Sequence, residues 1–594
     1  MLLPPTMNFL FLLGVVAWCV SSVVSAEVDL DFVGEPSIND RVVQHHLRFR
    51  SEMIAQEMGQ RQDHAFRQSL SPVARRAEAI VRAIRQEEID HFWREAGVVG
   101  DEERERFAGE MFPKARPHIG NTTLWSIVKR MPKGALLHAH LQAMLPADVL
   151  LDAVLHTEGM VISASQDVST PLKRQNATIM FAHVNHTLNE VHRSIHDTDY
   201  VPNSQVPINQ AADTFPGGRP AFLEFVKTKI TILPQDSVRH DLGVDEIWRK
   251  FQQCFGPLTE MVTYEPIVRT FYRKLFERLV DDGINWVEIR TAPGEIVHNG
   301  NEAADPNPDA WWHVLHEEIE SFQKTPKGKG FWGARVIWTD LRGSNRTLIA
   351  ENMKLALGQK QKFPYLVSGY DLVGQEDLGH SLLELAPELV WFRRQTEILN
   401  VTIPFFFHAG ETLGDGNSTD LNLFDALLFQ TRRIGHGFSL YKHPKLTNEV
   451  IQKTVLVEVC PISNEVLRLA TDILHHPLPA MVAHGVPTAI SNDDPSILGQ
   501  DIAGLSYDFY QTIQGFDNTG LAGLGALAQN SIRWANFQDQ PHSEWIRDIH
   551  LGERGQGIKA RHLQSWNAQW EIFCQWIVDM HGAKYPTAEV DSHI

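Results

Sequence analysis

The feature of this sequence that most constrains its fold is an alternation of short apolar runs with longer amphipathic segments. The runs number eight, and they lie at 135–140, 285–290, 334–340, 366–372, 403–408, 433–436, 455–460 and 487–491. Segments of helix length separate most of them, as at 267–280 and 382–399. Because strands that alternate with helices form a parallel sheet, eight such units predict an α/β fold, a closed (β/α)8 TIM barrel.

The length and composition of the chain agree with one large barrel that carries additions. The chain has 594 residues, of which 43% are hydrophobic and 21% are charged, which is ordinary for a globular protein. The spacing between the first two runs is much wider than the others, and the part of it at 159–220 is polar and rich in loop residues. We predict the barrel at 116–594 with an inserted surface domain at about 159–220; partial disorder of this stretch is the alternative.

Residues 27–115 form a separate N-terminal region with a helical pattern. Between positions 42 and 97, apolar residues such as Ile80, Ala83 and Ile84 recur at helical spacing, and charged residues cover the other positions. Two interpretations follow. The helices either cap the barrel or bind a second subunit and form a homodimer.

The first 26 residues have the pattern of a cleaved signal peptide. Positions 7–20 are almost continuously apolar, and Val24, Ser25 and Ala26 complete a run of small residues suited to cleavage. The apolar stretch is short for a membrane anchor, which is the alternative, and no later run is long enough to span a bilayer. Six N-x-S/T sequons support export and predict a secreted glycoprotein; they lie at Asn121, Asn176, Asn185, Asn345, Asn400 and Asn417.

Charge and cysteine content exclude two classes of protein. The net charge is -19 without a sustained basic stripe, so nucleic acid is excluded as a partner. Cys19 lies in the predicted signal peptide, and the three remaining cysteines cannot form a disulfide framework. One bridge between Cys254 and Cys574 and three unpaired buried thiols are the two alternatives.

The ionisable residues that carry chemistry fall at the ends of the predicted strands. His138 and His140 end the first run, His408 ends the fifth, and Asp493 follows the eighth. The carboxyl ends of barrel strands converge on one mouth, and residues two apart on a strand point to the same face. Three imidazoles and a carboxylate suit Zn²⁺ and leave room for a water, so we predict a zinc site; chance occurrence of histidines is the alternative.

Three further ionisable residues follow the same strand ends. Glu411 lies three residues after His408, and His436 ends the sixth run, where each is placed to transfer a proton. Asp494 adjoins Asp493, and consecutive side chains at a strand end diverge, so one binds metal while the other faces substrate. The plainer alternatives are a solvated loop carboxylate for Glu411, a capping residue for His436 and a helix N-cap for the aspartates.

Five motifs in collinear order resemble the signature of the adenosine deaminase family. They are MPKGALLHAH at 131–140, HAGET at 408–412, RIGHG at 433–437, CPISN at 460–464 and SNDDP at 491–495. The leader, the N-terminal helices, the insertion and the stretches at 247–251 and 504–508 resemble its secreted branch, the adenosine deaminase-related growth factors. The resemblance extends from about Pro132 to Asn536.

This resemblance implies hydrolytic deamination at C6 of a purine nucleoside, which converts adenosine, and also 2'-deoxyadenosine, to inosine-type product and ammonia. One zinc ion per subunit would be held by His138, His140, His408 and Asp493. Glu411 would protonate ring N1, and His436 would accept a proton from the attacking water. The family's substrate contacts carry over to Asp494 at N7 and to the backbone N–H of Gly374 at N3. Trp248 is expected to pack over the nucleoside, with a core tryptophan as the alternative.

The chain departs from the family pattern beside the second histidine. The family places an aspartate one or two residues after it, where it holds the ribose 5'-hydroxyl, but this chain has Leu141, Gln142 and Ala143. Gln142 can form a hydrogen bond without a charge, so the substrate range among purine nucleosides is open. The alternatives are another purine substrate, or a growth-factor-like protein that binds a cell-surface receptor or glycan.

Overall fold

The computed structural model describes residues 37–94, 96–99, 102–184, 194–298, 303–501 and 504–586. The chain divides into two compact units, residues 1–59 and residues 60–594. The first contains the described helix Arg41–Gln60, which ends at the boundary and has no buried side chain along its described length. The predicted signal peptide and the sequon at Asn185 lie outside the described residues. Within the described ranges, no helix has the length and apolar character needed to cross a membrane.

Eight parallel strands form the barrel of the second unit, as predicted. In chain order they are β1 (Gly134–His140), β2 (Ile284–Thr291), β3 (Gly333–Leu341), β4 (Val367–Val373), β5 (His408–Ala409), β6 (Arg433–His436), β7 (Leu456–Val459) and β8 (Thr488–Ile490). They form two four-stranded sheets, β1–β4 and β5–β8, each in sequential order. Parallel bridges between Tyr370 and Phe405 and between Ala139 and Asp493 join the two sheets into a closed ring.

Helices surround the ring, some with one buried face and others, such as Gly504–Gly515, buried almost all round. Their bounds, from the segment before β2 to the C-terminal end, are Glu265–Asp281, Ala310–Gln323, Arg346–Lys362, Ala386–Ile398, Asn422–Leu428, Pro444–Gln452, Pro461–Val466, Leu478–Ala483, Gly504–Gly515, Gly520–Arg533, His542–Leu551 and Ile558–His581. Helix Glu265–Asp281 buries Ile267, Phe271 and Leu275, spaced at single turns. The predicted helix at 382–399 begins at Ala386, because Pro387 favours a first-turn position.

The insertion between β1 and β2 is a folded element at the mouth of the barrel. Its antiparallel sheet has the order Ile179–His183, Met160–Ala164, Val206–Pro207. Its helices are Ala147–His156, Pro171–Asn176, Ile208–Thr214, Gly218–Ile230, Pro234–Ser237 and Gly243–Met261. Helix Gly243–Met261 packs against the 3₁₀ turn Leu141–Ala143, which directly follows β1. The insertion therefore contributes a wall beside the carboxyl end of the first strand.

Helices of the predicted N-terminal region pack on the barrel unit. The elements after residue 60 are the helices His64–Ser69, Pro72–Glu88, Phe112–Ile119 and Thr123–Arg130, the π-helical turn Ile89–Trp93, and the paired strands Ala96–Val99 and Glu102–Glu105. Helix Pro72–Glu88 buries Ala77, Ile80 and Ile84 and packs against Ile558–His581. Of these helices, Thr123–Arg130 lies beyond the predicted N-terminal region. Both interpretations of residues 27–115, a cap on the barrel and a homodimer surface, stay predictions.

The cysteines of the described chain are unpaired. Cys254, Cys460 and Cys574 are all buried free thiols. Burial raises the pKa of Cys254 to about 12, so its thiol stays protonated. The second alternative from the sequence therefore describes the structure, and stability comes from the barrel core.

Candidate active site and metal centre

Four predicted ligands converge at the mouth of the barrel. His138 and His140 come from β1, His408 begins β5, and Asp493 follows β8. One ligand atom from each lies within 4.8 Å of the others. Asp493 Oδ1 is 3.2 Å from the Nε2 atoms of both His138 and His140. The closed ring thus assembles one metal-binding group from strands that are hundreds of residues apart in sequence.

Buried carboxylates fix the orientation of two of these histidines. His138 Nδ1 donates to Glu458 Oε2 at 2.9 Å, and His408 Nδ1 donates to Asp371 Oδ2 at 2.7 Å. A carboxylate at Nδ1 selects the tautomer whose Nε2 carries a lone pair, which is the arrangement found around protein-bound zinc. Among the described residues, His138 Nε2 and Asp493 Oδ1 are buried without a hydrogen-bond partner. Each of these two atoms carries a lone pair that no hydrogen-bond donor meets, and a metal ion could bind both lone pairs.

Both orienting carboxylates belong to a buried ionic network. Although burial alone would raise the pKa of Glu458, the charges of Arg290 and Arg433 hold this pKa well below its usual value. Burial likewise opposes ionisation of Asp371, but His408 and Arg290 lower its pKa. Both carboxylates are therefore charged acceptors, and each fixes the orientation of the imidazole that donates to it.

Sequence reasoning missed this network. Its signal was the presence of charged residues inside apolar strands: Glu288 and Arg290 in β2, and Glu458 in β7. All three are fully buried. A charge in a strand that is covered on both faces needs a partner inside the barrel, because an unpaired buried charge is costly. The need for a partner therefore marks these three residues in the sequence. Which residues pair with each other depends on the register of the strands, which the sequence does not show.

The backbone at the site takes conformations that are rare outside glycine. Asp493 has φ 56° and His436 has φ 58°. Hydrogen bonds hold Asp493 in place: its N–H donates to His138 O at 3.2 Å, and its carbonyl accepts from His140 N at 3.0 Å. Gly435 permits the close packing of β1 and β6, since a Cβ there would lie 2.9 Å from His138 Cε1. Backbone strain of this kind, a positive φ at a residue other than glycine, occurs preferentially at functional sites, where one fixed geometry is required.

Glu411 and His436 lie beside the metal-binding group. Their nearest atoms, Glu411 Oε1 and His436 Nδ1, are 3.5 Å apart, and His436 Nε2 is 3.8 Å from Asp493 Oδ2. Burial, followed by the charges of Asp493 and Glu376, raises the pKa of Glu411 well above its usual value. Burial lowers the pKa of His436 well below its usual value. The pair is therefore a neutral carboxylic acid and a neutral imidazole, a proton donor next to a proton acceptor.

Glu376 fixes the backbone that carries Glu411. Its carboxylate accepts from the N–H groups of Gly410 at 3.1 Å and Glu411 at 2.6 Å, and from Asn422 Nδ2 at 2.8 Å. Gly410 turns the chain with φ 76°, and a Cβ there would lie 2.9 Å from Ser439 Oγ. The glycine in the HAGET motif is thus needed for the turn that brings Glu411 over the histidines.

Asp494 is a second buried acid with a free oxygen. It is 1% exposed, and within the described part of the chain its Oδ1 has no hydrogen-bond partner. Burial and the adjacent charge of Asp493 raise the pKa of Asp494 well above its usual value. A protonated carboxyl can donate a hydrogen bond to a ring nitrogen, which a carboxylate cannot.

The other predicted substrate contacts are Gly374, Gln142 and Trp248. Gly374 follows β4 with φ 95°, and its neighbour Gln375 donates to Asp245 Oδ1 at 2.6 Å on helix Gly243–Met261. Gln142 is half-buried in the turn after β1, against the same helix. Trp248, on that helix, is 4% exposed and packs edge-on against Phe251. Its place in the core leaves its contact with substrate a prediction.

A closed parallel barrel with three histidines, an aspartate and a neutral glutamic acid at its mouth defines a hydrolase of the metal-binding barrel class. Residues 220–550, more than half of the chain, match the sequence profile of the family described as adenosine deaminase. The chain belongs to the adenosine deaminase family, which confirms the resemblance found in the motifs.

Curated relatives match along most of their length. Adenosine deaminase 2 of Sus scrofa is 32% identical over 475 residues, which cover 78% of this chain and 82% of the pig protein. Adenosine deaminase 2 of Homo sapiens is 30% identical over 466 residues, with the same shares covered. Among solved structures, the adenine deaminase from Arthrobacter aurescens aligns with a TM-score of 0.44 and 17% identity, over 71% of this chain and 100% of that chain.

Proposed function

We propose that this protein is a zinc-dependent deaminase that hydrolyses adenosine and 2'-deoxyadenosine at C6, with inosine or 2'-deoxyinosine and ammonia as products. The observation that carries the proposal is the buried group of His138, His140, His408 and Asp493 with neutral Glu411 and Asp494 beside it. Relatives named adenosine deaminase 2 support adenosine as the substrate. A binding protein without catalysis would have no use for this arrangement of acids and imidazoles.

Zinc is the metal that best fits the donor set. Three imidazole nitrogens and one carboxylate oxygen match its preference for nitrogen and oxygen ligands. In the described chain, two of these ligand atoms, His138 Nε2 and Asp493 Oδ1, are buried without a hydrogen-bond partner. When bound, zinc supplies a Lewis acid that lowers the pKa of water to near neutrality. The buried walls around the four ligands would keep other water away.

The remaining residues divide the proton transfers between them. Glu411, as a neutral acid, donates its proton to ring N1 and so makes C6 electrophilic. His436, as a neutral imidazole, accepts a proton from the water that attacks C6. Asp494 donates a hydrogen bond to N7, and the Gly374 N–H binds N3. The water oxygen bonds to C6 as His436 takes one of its protons; His436 then passes that proton to the amino group, the C6–N bond breaks, and ammonia leaves. The second water proton returns to Glu411, while N1 keeps the proton that Glu411 gave it.

We also propose that the protein is a secreted glycoprotein whose first 26 residues are removed. The leader pattern supports export, and the five described sequon asparagines are all exposed, as an N-linked glycan requires; they are Asn121, Asn176, Asn345, Asn400 and Asn417.

Direct assay of the zinc-loaded protein tests the proposed reaction. Adenosine, 2'-deoxyadenosine, AMP, adenine and guanosine are each incubated with it, and ammonia release and the ultraviolet spectrum are followed. We expect ammonia from the first two substrates with the spectrum of a hypoxanthine product. A protein that holds one zinc per chain but releases no ammonia from either nucleoside would refute the proposal.

Restoring an acid at Gln142 is expected to strengthen ribose recognition. In Gln142→Asp, a charged acceptor would meet the 5'-hydroxyl, and a hydrogen bond to a charged group contributes about 1.5–3 kcal/mol, so the KM for adenosine should fall about tenfold. Steady-state kinetics with 5'-deoxyadenosine provide the control, because this analogue lacks the hydroxyl. An equal change of KM for both substrates would show that Gln142 does not face the 5' position.

A further inference from the structure

Arg290 lies inside the barrel and donates hydrogen bonds from all three nitrogens of its guanidinium group. It is fully buried on β2. Its Nε donates to Asp371 Oδ2 at 2.8 Å, and its Nη2 donates to Glu458 Oε2 at 2.7 Å. Nη1 donates to the carbonyl of Leu137 at 2.8 Å, and Nη2 also donates to that of Phe406 at 3.1 Å. One side chain of β2 therefore contacts four other strands or strand ends.

The oxygen atoms that Arg290 contacts are the ones that hold two of the metal-binding histidines. Asp371 Oδ2 accepts from both Arg290 Nε and His408 Nδ1, and Glu458 Oε2 accepts from both Arg290 Nη2 and His138 Nδ1. The result is a continuous chain of charge-assisted hydrogen bonds from one imidazole to the other through a single guanidinium.

The backbone contacts of Arg290 reach the same two histidines. Leu137 directly precedes His138, and Phe406 lies two residues before His408. Arg290 thus holds each histidine in two ways, by the main chain that leads to it and by the carboxylate that orients its ring. Only a planar fork of five donors makes these contacts together, since an ammonium is a compact point charge.

We propose that Arg290 is a positioning residue that fixes the spacing and ring orientation of His138 and His408, and that it thereby sets the affinity of the metal centre. The inference rests on the proposed zinc site. Its effect passes through Asp371 and Glu458 and through the carbonyls of Leu137 and Phe406.

The network predicts that the two histidines depend on Arg290 unequally. Glu458 also forms an ion pair with Arg433 Nε, and Arg433 pairs with Glu288 at 2.9 Å. The ion pairs of Asp371 among the described residues are with Arg290 and His408. Without Arg290, Glu458 keeps the cation Arg433, whereas Asp371 keeps only His408 as an ion-pair partner among the described residues, besides the backbone N–H of Leu372. We therefore expect the position of His408 to loosen more than that of His138.

The test compares zinc affinity in Arg290→Met and Arg335→Met with that of the wild-type chain. Arg335 on β3 is a matched control: it is 1% exposed and hydrogen-bonds Asn536 O, Val367 O and Asp539, away from the metal-binding group. Dissociation constants come from competition with a chelator, and zinc content from elemental analysis. We expect affinity to fall about 10- to 100-fold in Arg290→Met and to stay unchanged in Arg335→Met.

Two further variants keep the test decisive if Arg290→Met folds poorly, which circular dichroism of the metal-free proteins will show. Arg290→Lys keeps the charge but not the fork, and we expect an intermediate loss of affinity. In Arg290→Met combined with Asp371→Asn, the unpaired buried charge is gone, and the combined loss of affinity should be smaller than the product of the two single losses, because both changes act on His408 through Asp371.

The outcomes separate the inference from the proposal on which it rests. A wild-type chain that binds no stoichiometric zinc would refute the proposed metal centre. A wild-type chain that binds zinc while Arg290→Met binds it as tightly would overturn the inference about Arg290. Additive losses in the double variant would overturn it too, because independent residues do not share a path to His408.

Discussion

Replacing Glu411 with glutamine is expected to lower kcat for adenosine by about 10²- to 10⁴-fold while zinc content stays at that of the wild-type chain. Glutamine keeps the size and the hydrogen-bonding capacity of the side chain, but its amide cannot give up a proton. The reaction needs that proton at ring N1, because protonation makes C6 electrophilic. Steady-state kinetics and elemental analysis of the same preparation measure the two quantities.

The local structure makes this a specific test of acid catalysis. Glu411 is 2% exposed, and its backbone N–H donates to Glu376, so the amide should occupy the same place. The matched control is Glu465→Gln. Glu465 is also a buried glutamic acid whose pKa burial raises well above its usual value, but it accepts from Phe112 N, at 2.8 Å, rather than facing the histidines. We expect it to keep wild-type kcat. Full activity in Glu411→Gln would exclude Glu411 as the proton donor.

Alanine at Asp493 is expected to remove zinc and reduce turnover to the uncatalysed background. Asp493 supplies the one carboxylate of the metal-binding group, and it holds its place through its backbone bonds with β1 and through Ser463 Oγ, which donates to its Oδ2 at 2.7 Å. Loss of a charged ligand leaves three neutral imidazoles, which hold zinc much less tightly. Zinc per chain and ammonia release measure the two effects.

The neighbouring aspartate provides the control. Asp494→Ala should keep its zinc but lose a hydrogen bond between a neutral acid and N7, a loss of about 0.5–1.5 kcal/mol, or about 2- to 10-fold in kcat/KM. Zinc retained in Asp493→Ala, or lost equally from both variants, would contradict the division of roles between the two adjacent carboxylates.

Much of the barrel could be predicted from the sequence because its strands are short, apolar and regularly separated. The structure places strands on all eight runs. The fifth is the least regular: the run at 403–408 gives a ladder only at His408–Ala409, with one earlier bridge at Phe405. Pro404 lacks an N–H and interrupts strand pairing, which explains the short ladder.

The gathering of the predicted ligand residues could be predicted because strand ends converge, whereas the network beneath them could not. His138, His408 and Asp493 follow from position alone. Glu458 and Asp371 gain their roles from register across the ring, through pairings such as Gly435 with Glu458 and Thr339 with Asp371. A single sequence shows no register between strands that are far apart. The same limit applies to Glu376, whose partners Gly410 and Glu411 lie across a loop from it.

The closure of the ring between Ala139 and Asp493 has a consequence for how the protein matures. The first and last strands of the barrel meet there, and each brings ligands to the same metal-binding group. Before that closure, a growing or partly folded chain holds His138 and His140 without their carboxylate partner. The four residues gather only when the ring is closed, so an ion bound there would favour the closed ring over open forms by mass action, and its removal would be expected to lower the stability of the whole barrel.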